Sequence, residues 1–273
     1  MDRMKLLGTV AALGLIGAAP APGTPRRIVS LNVCTDQYVL ALADPGQIAA
    51  LSSNAHNAEL SAAARQARPF RSLRRPSEEV TAIGPDLLLG FPMGDGAVAG
   101  APPGQWRTLG LSIADSYSMV TAQIRQVAKA VGHPERGQAL IARMNRDLAA
   151  LPRPNRGGVA AYYQRRGYMT GTGTLVDDLM RRAGLTNLAA KLGKPALAQI
   201  PLEEMIAARP DWLIVESGSE QVVDQGTEML HHPILKDIPR IRVPQAWTVC
   251  GGPAYGLAAH SIVAQINAAP RRR

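Results

Sequence analysis

Residues 162–168 read Tyr-Tyr-Gln-Arg-Arg-Gly-Tyr. Phenol rings offer flat faces and a hydroxyl. Guanidinium groups pair with carboxylate or catecholate oxygens through forked, charge-assisted hydrogen bonds. This segment has the means to grip a ring-bearing or anionic ligand, and Arg165, Arg166 and Tyr168 are expected to face it. Side chains alternate along a strand, so Tyr162 and Tyr163 must point opposite ways and one belongs to the core; Tyr163 is assigned to the ligand. Two cysteines, Cys34 and Cys250, are the only ones in the chain. Cys34 stands near the start of an expected helix, where a thiol can be activated, yet no His has an evident place beside it. G-x-S-x-G, P-loop and dinucleotide fingerprints are absent, so binding is favoured over catalysis and no catalytic residue is assigned. His56 could reach a ligand or metal, or simply be solvated in its loop. A bare zinc or manganese ion needs about three His and a carboxylate. His133, His260 and the adjacent His231 and His232 fall on helices or their ends, so no metal ligand is assigned and no resident cofactor is expected.

These groups need a scaffold, and the chain announces one by repeating itself. Residues 76–89 read PSEEVTAIGPDLLL and residues 201–214 read PLEEMIAARPDWLI. Each phrase opens on a proline and an acidic turn, as a helix start should. Each then carries a Pro-Asp stop and an apolar run of strand length. The repeats predict two similar α/β lobes, each with a Glu at the same place. Further strands are expected at 27–31, 48–52, 111–114 and 159–163, with short extended pieces at 240–243 and 247–249. Helices are expected at 35–42, 118–131, 174–182 and 255–268. Thr35 or Asp36 is a candidate cap for the first of these. A helix at 134–151 carries Leu140, Ile141, Met144, Leu148 and Leu151 on one stripe. The expected fold class is α/β: two α/β lobes with mainly parallel sheets joined by a single long backbone helix. The N-terminal lobe spans 24–133, the connecting helix 134–151 and the C-terminal lobe 152–273.

Residues 1–23 read as an export signal. Arg3 and Lys5 precede an apolar run from Leu6 to Ile16, and small residues follow at Gly17, Ala18 and Ala19. The run is short for a membrane span, although an uncleaved anchor stays open. The formal charge of +9 suits an anionic ligand or a place beside anionic membranes. Nucleic acid is excluded as a partner, because the arginines are scattered and no basic-aromatic motif recurs.

Five segments carry a resemblance: RRIVSLNVCTDQYVLALADPGQIAALS at 26–52, SEEVTAIGPDLLLG at 77–90, YMTGTGTLVDDLMRRAGLTNLA at 168–189, LEEMIAARPDWLIVES at 202–217, and the closing segment after Trp247. In this order and spacing the chain resembles the substrate-binding proteins of ABC importers for iron-siderophores, haem and cobalamin. The resemblance implies a periplasmic, monomeric receptor that hands its ligand to an inner-membrane permease. The ligand would be a small-molecule metal chelate held between the lobes: a siderophore or haem iron complex, or cobalamin. The low aromatic content, 4 %, tilts the choice toward a ferric chelate. Glu78 and Glu203 match the positions that meet arginines on the permease, although an acid at a helix start is also favoured in its own right, and Glu79 and Glu204 fit that role equally.

The same resemblance places several loops on the cleft. They contain Cys34 and Thr35, His56, Met93 and Trp106, the segment 162–168, and Trp247 with Cys250. Gly251 and Gly252 let the backbone approach a ligand. Trp247 either stacks on the ligand or covers the core. With both cysteines on the cleft, three states are open: a Cys34–Cys250 disulfide tying the lobes, two free thiols packed as small apolar groups, or paired thiolate ligands for a soft metal. A zinc- or manganese-type receptor, or a periplasmic thiol enzyme using Cys34, are the alternative functions.

Overall fold

The computed structural model describes residues 23–92 and 105–270. All of the export segment but Gly23, and Met93, lie outside them. The first sheet is built from β1 (Ile28–Ser30), β2 (Ile48–Ala50), β3 (Leu87–Gly90) and β4 (Thr108–Gly110), in the order β2-β1-β3-β4 and parallel throughout. Helices α1 (Val33–Leu42), α2 (Ala64–Ala67) and α3 (Pro76–Ile83) fill the crossovers. The central strands β1 and β3 are buried along their whole length. That burial explains why they read as unbroken apolar runs rather than alternating ones.

Two antiparallel helices lead to the second sheet: α4 (Tyr117–Val131) and α5 (Pro134–Ala149). Ser116 caps α4 by accepting from the Met119 N–H, and Gly132, at φ 90°, ends it in the left-handed region. Pro134 opens α5, whose Leu140, Ile141, Met144 and Leu148 are buried as the stripe requires. The second half contains β5 (Gly158–Tyr163), β6 (Tyr168–Thr170), α6 (Leu175–Arg182), β7 (Leu185–Asn187), α7 (Leu188–Lys191), β8 (Leu197–Gln199), α8 (Leu202–Ala208), β9 (Trp212–Glu216), α9 (Ser217–Gln221), β10 (Arg240–Val243) and α10 (Tyr255–Ala268). Its sheet runs β10-β9-β5-β6-β8. β9 and β10 are parallel to β5, and β6 and β8 add an antiparallel edge. β7 pairs with the first half of β5. Among the described residues no helix is long and apolar enough to cross a membrane.

The repeated Pro-Asp pairs have a structural role that the stop reading missed. Asp86 accepts from the N–H of Arg27 at 2.9 Å, and its own N–H donates to the Arg27 carbonyl at 3.0 Å. Asp211 does the same with Val159, at 2.8 Å in both directions. In each half the phrase's Asp therefore ties the start of the following strand to the start of the sheet's central strand. A single apolar core joins Ile28 and Leu87 of the first sheet to Trp212, Ile214 and Ile241 of the second, through residues of α4, α5 and α10.

Two expectations need correction, and three strands went unread. The fourth strand lies at Thr108–Gly110, not 111–114; residues 111–114 form the loop beyond it. Gln245–Trp247 is a 3₁₀ turn rather than the start of an extended piece. The strands β6, β7 and β8 were not foreseen: Tyr-Met-Thr, Leu-Thr-Asn and Leu-Ala-Gln are short and mix polar with apolar residues, so they carry no apolar run to read.

Candidate functional site

Parallel α/β sheets present ligands at the carboxyl ends of their strands, and here both sets of ends face one cleft. The loops after β1, β2, β3 and β4 supply Asn32, Ser53, Phe91 and Ile113 to one wall of a cavity of about 410 Å³. Val249, Cys250 and Gly251, from beyond β10, supply the other. Ile113, Ala114, Val249 and Gly251 also border a second cavity of about 240 Å³, whose far wall is Tyr162, Gln164, Thr170 and Glu216. Glu216 and Gln245 are shared again with a third, of about 340 Å³, bounded by Glu59 and Arg165. The three adjoin in a row through these shared residues and together make up a trough between the sheets.

Cys34 and Cys250 form a disulfide and both border the 410 Å³ cavity, with their Cα atoms 5.2 Å apart. Of the three states left open, this is the one present. Cys34 is therefore not a free thiol, which removes the nucleophile from the thiol-enzyme alternative. Close by, the Tyr38 hydroxyl donates to the Gly251 carbonyl at 2.5 Å, a second link between the halves. Burial raises the Tyr38 pKa, so this donor stays protonated. The cap of α1 is Asn32, not Thr35 or Asp36: its Oδ1 accepts from the N–H of Cys34 and of Thr35. Thr35 borders the cavity but is buried, its hydroxyl 2.7 Å from Ser30 Oγ and 3.0 Å from the Asn32 carbonyl. Asp36 accepts from the Ser52 N–H and hydroxyl, pinning the loop after β2, and burial raises its pKa.

At the centre of the trough the Tyr162 hydroxyl donates to Glu216 Oε1 at 3.2 Å and stands 3.1 Å from Thr248 Oγ1. Burial, and then the Glu216 charge, raise the phenol's pKa. Gln164 Nε2 and Ser219 Oγ also donate to Glu216, each at 3.2 Å. The sequence reading assigned Tyr163 to the ligand, and the structure corrects this. Tyr163 is fully buried in the core on the opposite face of β5, its hydroxyl directed at Met229 Sδ. The alternation was right and the choice of phenol was inverted, because nothing in the local sequence says which face of β5 meets the helices.

The remaining candidates scatter. Arg165 borders the third cavity, but its guanidinium is held by Asp224 at 2.8 Å. Arg166 has left-handed backbone, φ 58°, and its exposed side chain lines none of the three cavities. Tyr168, on β6, is 39 % exposed and also away from them. His56 points back toward the carbonyls of Ala67 and Phe70, 3.0 and 3.1 Å from Nε2, so it braces its own loop. Trp247 and Trp106 pack against core clusters. Among the described residues no group of three His, Cys, Asp or Glu side chains could hold a metal ion. The residue that sequence reasoning missed is Glu216. Its signal was present: a charge closing the otherwise apolar strand Trp-Leu-Ile-Val-Glu.

Both repeated Glu pairs divide in the same way. Glu79 is engaged at the start of α3, accepting from the N–H of Arg74 and of Arg75 at 2.7 Å each, while Glu78 is exposed beside Arg75. Glu204 pairs with Lys194 at 2.8 Å, while Glu203 is exposed.

The sequence profile of the periplasmic binding protein family matches residues 28–242. No curated protein matches the chain at a significant level. Several solved structures share its fold. The periplasmic haem-binding protein of Roseiflexus sp. RS-1 is 24 % identical with a TM-score of 0.67, covering 89 % of this chain and 98 % of that one. An ABC-type Fe3+-hydroxamate transport protein of Saccharomonospora viridis is 18 % identical with a TM-score of 0.64, covering 90 % and 94 %. The periplasmic vitamin B12 binding protein of Vibrio cholerae is 13 % identical with a TM-score of 0.63, covering 89 % and 97 %.

Proposed function

The chain belongs to the periplasmic binding protein family, and from that premise we propose that it is the periplasmic receptor of an ABC importer. It captures a metal chelate, either an iron complex (siderophore or haem) or cobalamin, and delivers it to an inner-membrane permease. The observation that carries this reading is the trough itself. It lies where the carboxyl ends of both sheets converge, and cavities of about 240, 340 and 410 Å³ together match a site for one compact ligand. Structural likeness to proteins named for haem, Fe3+-hydroxamate and vitamin B12 supports the ligand class. Residues 1–23 act as the export signal, the receptor works as a monomer, and it binds without catalysis. Glu78 and Glu203, exposed on matching helices, dock on the permease.

The test is a titration of the mature protein with ferric siderophores, haem and cobalamin, followed by tryptophan fluorescence. Saturable one-to-one binding of at least one of them is expected, with Kd about 1 μM or tighter, near 8 kcal/mol. Failure of all of them at that concentration sinks the ligand class.

A further inference from the structure

Glu216 is over nine-tenths buried, sits at the junction of two cavities, and none of the ion pairs of the described residues includes it. A buried carboxylate without a cation is costly unless hydrogen bonds or a ligand compensate. Tyr162, Gln164 and Ser219 supply three donors, against roughly four acceptor positions on a carboxylate. Oε2 receives only the Ser219 hydroxyl, so one acceptor position is left. The surroundings have the same sign. Asp115 faces the second cavity and Glu59 the third. Arg165 is the only basic side chain among the described residues bordering the trough, and Asp224 already holds it.

Resting on the receptor reading above, we infer that the bound chelate presents a cationic group to Glu216, and that this carboxylate selects against anionic chelates. A negative trough attracts such a ligand, and a low-dielectric wall strengthens the contact. An apolar rim formed by Phe91, Ile113 and Val249, each 40 % or more exposed, would cover the rest of the ligand. The donors around Glu216 hold the carboxylate in place without neutralising it.

The probes are a ferric trihydroxamate bearing a free primary amine, its N-acetylated counterpart, and a ferric tris-catecholate, which is anionic. Tryptophan fluorescence of the full mature protein reads each Kd. The amine chelate should bind at least tenfold tighter than the acetylated one, and the tris-catecholate weakest. Glu216→Gln should shrink the amine preference to within about threefold, a loss of at least about 0.7 kcal/mol. Asp115→Asn, at an exposed position where folding is not at issue, should shrink it partially. Thermal melting confirms that both variants are folded. Equal binding of the two hydroxamates by the parent, a preference for the tris-catecholate, or an amine preference that survives Glu216→Gln overturns the charge inference and leaves the receptor reading standing. If these probes, haem and cobalamin all fail to bind, both readings fall together.

Discussion

Glu78 and Glu79 are neighbours in sequence and do different work. Glu79 accepts from the backbone N–H of Arg75 and of Arg74, and from the Arg71 guanidinium, which together pull its pKa down to about 2. A carboxyl whose folded pKa is depressed adds stability above its unfolded value of 4.5, and that stability disappears as pH falls toward about 2. Glu79→Gln should therefore flatten the acid limb of stability between pH 4.5 and 2. It should leave the slope at neutral pH unchanged. Urea midpoints measured across that window check it, and an unaltered acid limb would rule the assignment out. Asp36 illustrates the opposite sign, since burial raises its pKa. In both cases the donors and the degree of burial decide the behaviour, not the residue type.

At the scale of elements, α3 and α8 are two versions of one device. Each begins with an exposed Glu followed by a locally engaged one, and each is followed by an Asp that ties its strand to the central strand of its sheet. Neither of the exposed pair, Glu78 and Glu203, borders any cavity of the trough. Replacing both with Ala should leave the ligand Kd within about twofold of the parent while lowering uptake through the reconstituted permease. Undiminished uptake would mean that these residues only decorate helix starts, where an acid contributes about 0.3–1 kcal/mol.

At the scale of the whole molecule, several features tie the two halves together. One apolar core runs through both halves, and the chain passes between the sheets through α4 and α5 rather than through a flexible tether. The Cys34–Cys250 bridge adds a covalent tie across a sequence separation of 216. On the chain-entropy model, closing so long a loop stabilises by up to about 5 kcal/mol. Cys34→Ser with Cys250→Ser should lower the free energy of unfolding by an amount of that order, read as a fall in urea midpoint. A midpoint that matches the parent would show that the bridge contributes nothing to stability. Labelling of the unreduced protein with an alkylating agent should modify neither cysteine.

Much of this architecture was legible in the chain. The duplicated phrase announced two α/β halves, and the α5 stripe and the Tyr255–Ala268 helix lie where apolar periodicity put them. Those features are local, because proline, acidic turns and apolar runs act over a few residues. The short strands β6, β7 and β8 were invisible for the same reason, since each mixes polar and apolar residues and shows no local apolar run. The site was harder to read because it is assembled from segments far apart in the chain. Tyr162 and Tyr163 were known to diverge, but only packing against the rest of the second half decided that Tyr162 meets the trough. Arg165 looked like a ligand group until the fold brought Asp224 beside it. Sequence alone determined the two halves, their order and the presence of two cysteines. Tertiary structure alone decided that the cysteines join, and that a strand-ending carboxylate, Glu216, stands where the cavities meet. Charge pairing and burial depend on distance in space, and distance along the chain does not report it.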